Sequence, residues 1–314
     1  MNLPELIDYC VIGGGVHGLS AAWHLAMQLE ASGRGSGRDI VVLEKREPGA
    51  GASGIACGVV RNFYFSPAMT ELVRLSVEVW ESDPEALGYH PAGYIALVPK
   101  SQVNDLIAIH QKEREIGYTS ELYLGERACQ KQMSSLFADF HCEGIEGMLH
   151  EKLGGMATPR QAIAGLRNKA LAHGVRILNG VEVTGFDLGP AGVRAVETNH
   201  GRIRTGLVVI GAGPWAGRFW EMLGLPSQVE IKTPGGEVVS KPMWTYWQLR
   251  EGSIEMERPF LQDDGRLAPV IHLDHSIPLL DPHTGEQIDA GPWGIYWKKD
   301  HRGVQGGGVP LRLG

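Results

Sequence analysis

The chain has little that would suit it to a polyanion or a bilayer. Its 29 lysines and arginines are outnumbered by 36 aspartates and glutamates, for a formal net charge of −7. No basic stripe is there to displace counterions, so nucleic acid is not an expected partner. No apolar run approaches the roughly 18 residues that a membrane helix needs. The N-terminus lacks a basic segment followed by a long apolar core, so no secretory signal is expected and the cytoplasm is the default location. The four cysteines, Cys10, Cys57, Cys129 and Cys142, form no C-x-x-C pair, which argues against a zinc site or redox dithiol and for buried free thiols. No G-x-S-x-G elbow supports a Ser–His–Asp hydrolase. His272, Asp274 and His275, followed by Asp281 and His283, match no standard metal-ligand spacing; a solvated hairpin is expected there, and no metal. Internal repeats are absent as well.

Glycine, by contrast, is abundant at 43 residues, and its placement near the N-terminus is informative. Tyr9 to Ile12 reads as a short apolar strand that runs directly into Gly13, Gly15 and Gly18 in G-x-G-x-x-G register, and Leu19 to Leu29 reads as a helix. Strand, tight turn and helix start together make a phosphate cradle: Gly13 allows the turn, Gly15 lets backbone approach a pyrophosphate, and Gly18 lets helix pack on strand. First-turn N–H groups then face the anion. The next apolar run, Ile40 to Leu43, ends on Glu44, where a parallel strand presents a carboxylate to a ribose 2′-OH. The polar insert Ala31 to Arg38 accounts for the long interval between turn and acid. An ordinary β-turn-α unit with incidental glycines is the competing reading.

Further along, Pro48 to Gly58 is a loop dense in small residues, which allows close backbone approach to a ligand; Cys57 lies within it. Helices are expected over Pro67–Glu81 and Gln102–Glu115, with a strand over Tyr94–Val98 between them. Thr158-Pro159 opens another helix, which Gly174 ends. Strands follow at Val175–Leu178, Val181–Asp187 and Gly192–Thr198. The apolar run Leu207 to Ile210 before Gly211-Ala212-Gly213 fits a buried parallel strand whose end touches a ligand. Beyond Pro226, strand-like segments at Glu237–Ser240, Met243–Leu249, Pro269–Leu273 and Trp293–Lys299 suggest an antiparallel sheet. Trp293, Tyr296 and Trp297 are expected in its core. The chain therefore divides into a nucleotide domain over 1–85 and 156–228 and a second domain over 86–155 and 229–314.

The pattern resembles the D-amino-acid-oxidase-like flavoenzymes, which include glycine oxidase, sarcosine oxidase and dimethylglycine dehydrogenase. VIGGGVHGLSAAWHLA with VVLEK looks like the family's FAD fingerprint, GASGIACGVVRNFY like its flavin loop, GVRILNGVEVTGF like the segment that meets the adenine, and TGLVVIGAGPWA like its second FAD-contacting strand and turn. The resemblance implies a Rossmann-type α/β FAD-binding domain and an α+β substrate domain on a mainly antiparallel sheet. It implies FAD held by Gly13, Gly15, Val16, His17, Gly18, Glu44, Lys45, Ser53, Gly54, Val183, Gly211, Gly213 and Trp215. Activity is expected at the C–N bond of a small amine or amino acid, with Arg61 binding the substrate carboxylate through its planar fork. Lys298 is expected to assist reaction with oxygen, a position that Tyr296 could occupy instead; the electron acceptor stays open. Family members continue past the GVQGGG hairpin, so the chain is expected to correspond to about the N-terminal two thirds of such an enzyme. A nicotinamide dehydrogenase, a non-catalytic FAD-binding subunit and an inactive fragment are the alternatives.

Overall fold

A computed structural model describes residues 3–233, 235–244, 251–301 and 303–309. The chain divides into two compact units, Met1–Ala56 with Pro159–Trp247, and Cys57–Thr158 with Gln248–Gly314.

The first unit is built on a six-stranded sheet in the order Val183–Gly189, Gly192–Thr198, Gly201–Ile210, Leu6–Ile12, Ile40–Glu44, Arg176–Asn179. The last four run parallel, with Cys10 opposite Val41 and Val208, and Val42 opposite Ile177. Strands flanked on both sides and covered on both faces need apolar residues at successive positions. Cys10 and Val11, and Ile40 through Val42, are accordingly fully buried. The helix Val16–Ser32 buries Leu19, Ala22, Trp23, Ala26 and Leu29, a helical stripe, and packs against the helix Pro159–Ala172. Gly33, left-handed at φ 65°, ends it with backbone bonds back to Glu30 and Leu29. The expected buried parallel strand at Leu207–Ile210 is parallel, but Leu207 is 47% exposed. Alternation puts Val208 and Ile210 on the core and Leu207 on the other face.

The second unit carries a seven-stranded sheet in the order Glu251–Glu255, Gly303–Val309, Trp293–Asp300, Val270–His275, Tyr94–Val98, Gly147–Glu151, Ser120–Leu124. All neighbours are antiparallel except Val270–His275 with Tyr94–Val98. Tyr94–Val98 is buried on both faces. Ile95 and Leu97 meet Met133, Cys142 and Met148 on one side, while Tyr94, Ala96 and Val98 meet Leu106, Ile109 and Val270 on the other.

Several boundaries differ from expectation. The first domain boundary falls at Ala56/Cys57 and not after residue 85, because Val59–Val60 pairs with Gly155–Ala157 and the helix Pro67–Ser82 packs on Val103–Glu115. The later boundaries fall after residues 158 and 247, not 155 and 228; Gln228–Lys232 forms a ribbon with Val238–Pro242 in the first unit. The strand expected over Met243–Leu249 lies outside the described residues from 245 onward. Ser120–Leu124, Gly147–Glu151 and the helix Glu126–Ser134 were not foreseen.

Candidate functional site

The glycine turn has the geometry its sequence implies. Gly13 has φ 106°, and a Cβ there would lie 2.4 Å from the Gly211 carbonyl oxygen; one on Gly18 would lie 1.9 Å from that of Gly13. Only hydrogen fits at either contact, so these glycines seat the helix Val16–Ser32 on its strand. Gly15 precedes that helix in extended conformation, which leaves first-turn N–H groups without intrahelical acceptors. One of them, on Val16, donates to Ser53 Oγ at 3.1 Å.

Glu44 ends its strand half-buried beside the turn. Its Oε2 accepts from Gly14 N at 2.7 Å and its Oε1 from Arg46 N at 2.9 Å. Both oxygens are thereby oriented, and each retains a lone pair. Glu44 also lines a cavity of about 410 Å³, together with Gly13, Gly15, Lys45 and Ser53. Val183, Gly211, Gly213 and Trp215 line it from the strands and turn opposite. Lys45 is exposed and pairs with Glu182 at 2.8 Å, while Trp215 stands 54% exposed at the rim. Val16, His17, Gly18 and Gly54 do not line the cavity: Val16 contributes its N–H to Ser53, His17 is exposed, and Gly18 and Gly54 serve close packing, the latter against Gly49. Arg46, Val181, Arg218 and Phe219 belong to the wall and were not foreseen, since nothing in their spacing marks them. An oriented carboxylate with free lone pairs, first-turn N–H groups at a helix start, and apolar Val181, Val183 and Phe219 in one wall fit the nucleotide part of FAD.

In the second unit Arg61 lies among aromatic rings. Its guanidinium carbon is 5.2 Å from the Tyr64 centroid, 5.4 Å from that of Tyr94 and 5.8 Å from that of Phe63. Arg61 Nη1 donates to the Tyr94 hydroxyl at 3.1 Å. That hydroxyl is 2.7 Å from His272 Nδ1, and His272 Nε2 is 2.9 Å from Asp274 Oδ1. His272 and Asp274 are buried in the sheet, which corrects the expectation of a solvated hairpin for these two residues. Only the segment beyond them is exposed, with Asp281 accepting from the His283 N–H in a turn. Beside Arg61, the Asn62 N–H donates to Glu151 Oε2 at 2.7 Å. Glu151 and Glu113 are fully buried neighbours, and burial raises both carboxyls above the ordinary range.

Lys298 lies two strands from Tyr94 on the same sheet face, because Tyr296 is paired with His272 and Tyr94 with Val270, but its titratable neighbours include Asp300, Cys57 and Glu251. It is 5% exposed, and burial lowers its ammonium from the usual value. Tyr296, two positions earlier on the same strand, shares its face and donates to Glu251. Cys57, half-buried, lies within electrostatic reach of Lys298 and Tyr296, and burial raises its thiol. The other three cysteines are buried free thiols.

A family model described as FAD dependent oxidoreductase matches residues 8–267. The chain is 29% identical over 221 residues to rat mitochondrial dimethylglycine dehydrogenase, a match covering 68% of this chain and 24% of the relative. It is 27% identical over 235 residues to the beta subunit of sarcosine oxidase from Rhizobium meliloti, covering 71% of this chain and 53% of that subunit. The chain thus spans about a quarter of the first relative's length and about half of the second's. Among solved structures, L-proline dehydrogenase from P. horikoshii superposes with a TM-score of 0.72 at 21% identity, over 99% of this chain and 72% of that one. That likeness establishes a shared fold.

Proposed function

The chain belongs to the FAD-dependent oxidoreductase family, and we propose that it oxidises the C–N bond of a small amine or amino acid. FAD, when bound, supplies the two-electron acceptor for the hydride that leaves the substrate carbon. The chain's residues bind and orient. The glycine turn and the start of the helix Val16–Ser32 take the pyrophosphate, Glu44 accepts from the adenosine ribose, and Val181, Val183 and Phe219 flank the adenine. Glu44 would repel a ribose 2′-phosphate, which disfavours the phosphorylated nicotinamide cofactor. Arg61 takes the substrate carboxylate. The amine loses a hydride and a proton to become an imine, which water hydrolyses to carbonyl and free amine.

The observation that carries the substrate class is the Arg61 guanidinium, set among three aromatic rings with one N–H committed to Tyr94. A fork so held suits a planar carboxylate. The experiment is anaerobic addition of amino acids and of their decarboxylated counterparts to the flavin-loaded protein, followed in the visible spectrum. Bleaching by the amino acids, and weaker or no bleaching by the amines, is the expected result. Flavin bands that no amine or amino acid bleaches would favour a non-catalytic FAD-binding role. Lys298 is the proposed residue on the oxygen side. A cytoplasmic location is proposed too; no helix among the described residues is long and apolar enough to cross a membrane, and fractionation tests the location.

A further inference from the structure

Arg61 is the near end of a directional hydrogen-bond chain. Arginine can only donate, so at 3.1 Å the Tyr94 oxygen is the acceptor. The Tyr94 O–H must then be spent elsewhere, and His272 Nδ1, at 2.7 Å, is the acceptor it meets. Nδ1 is therefore bare and the ring proton sits on Nε2, which donates to Asp274 Oδ1 at 2.9 Å. Each bond sets the direction of the next, from carboxylate to guanidinium.

Strand geometry explains why these residues meet. His272 and Asp274 are two apart on one strand and share a face. Tyr94 pairs with Val270 on the parallel neighbour, which puts it on that same face. Tyr94, His272 and Asp274 are 1%, 9% and 7% exposed. Such a network, sealed from water, holds its geometry more firmly than one at the surface. On the other neighbouring strand Glu151, paired with Tyr94 and on the same face, accepts from the Asn62 N–H, which fixes the backbone next to Arg61.

We propose that Tyr94, His272 and Asp274 are positioning residues that hold the Arg61 guanidinium in the orientation a substrate carboxylate requires. This rests on the reading of Arg61 as the carboxylate-binding residue. Tyr94 occupies one N–H and leaves the remaining edge of the fork for the ligand, while His272 and Asp274 prevent the tyrosine from turning its own O–H toward the arginine. Asp274→Leu would release the order: with no acceptor opposite Nε2, nothing holds the ring proton there, and with the proton on Nδ1 the ring donates to Tyr94 and leaves that hydroxyl competing with Arg61.

The test titrates acetate, and acetamide as its neutral isostere, into the flavin-loaded full chain by calorimetry, for the parent and for Arg61→Lys, Tyr94→Phe and Asp274→Leu. All three variants are expected to weaken acetate by roughly tenfold or more while acetamide is unchanged. A purely structural role would lower thermal stability or weaken both probes alike, and either pattern without a selective loss of acetate overturns the proposal. If Arg61→Lys loses acetate and the other two do not, the relay is wrong and the substrate reading stands. If Arg61→Lys itself leaves acetate unchanged, both fall. Should Tyr94→Phe fail to fold, Asp274→Leu, which removes no group bonded to Arg61, decides the matter alone.

Discussion

Glu44 holds the turn with the same carboxylate that, in the proposed function, accepts from a ribose. Because Gly14 N and Arg46 N orient both of its oxygens, adding a ligand hydroxyl requires no rearrangement. Glu44→Ala should weaken FAD retention by about 1.5–3 kcal/mol, the worth of a hydrogen bond to a charged group; unchanged flavin affinity by fluorescence titration would remove Glu44 from the site. Arg61→Lys keeps the charge and loses the fork, so KM for an amino acid should rise more than flavin content falls. Unaltered steady-state kinetics in that variant would refute the assignment. Lys298 presents a different case, a cation 5% exposed whose proton burial disfavours. Replacing it by methionine should slow re-oxidation of reduced flavin by oxygen and leave the anaerobic half-reaction intact. If both rates hold, Lys298 has no part in the oxygen step.

At the scale of elements, the contact between helix and strand governs the site. Gly18 has no room for a side chain, since a Cβ would sit 1.9 Å from a backbone oxygen that cannot retreat without breaking the turn. Gly18→Ala should therefore push the helix Val16–Ser32 from its strand, lowering thermal stability and flavin occupancy together. Measured stoichiometry equal to the parent's would show that the turn can yield. Ser53 works across a longer separation, capping Val16 N from the short helix Ala52–Ile55, 37 residues away within the small-residue segment. This bond ties the small-residue segment to the helix start, a link that no local pattern announces.

Over the whole molecule, the buried Glu113 and Glu151 pair makes stability depend on pH. Both carboxyls are raised by burial above the ordinary value of 4.5, so the folded protein retains a proton that the unfolded chain releases. Folding stability from this source is fully present below the ordinary value and is lost as pH rises through the folded one. Arg61, Tyr118 and Tyr89 also face this pair, and none of them changes charge near neutrality. Buried His150, lowered to about 4, adds stability as pH rises toward 6.5, so the urea midpoint should fall between about pH 6.5 and about pH 8, and Glu113→Gln, which supplies a permanent neutral partner, should flatten that slope. A parent midpoint that is level or rises over this range would contradict the shared-proton arrangement.

Local chemistry settled the part of the protein that sequence could determine. Gly13, Gly15, Gly18 and Glu44 were legible because a tight turn, a close helix approach and a strand-end acid each demand one residue type at one spacing. The strands Ile40–Glu44 and Tyr94–Val98 were legible because burial on both faces leaves an unbroken apolar run. Gly147–Glu151 was not, since its interior His150 and Glu151 break that run and are tolerated only through partners remote in sequence. The same holds for the surroundings of Arg61. His272 and Asp274, read along the chain, resemble a polar hairpin. Only the parallel pairing of their strand with Tyr94–Val98 puts them beside Tyr94, because strand register is decided by neighbours in space and carries no mark in the residues themselves.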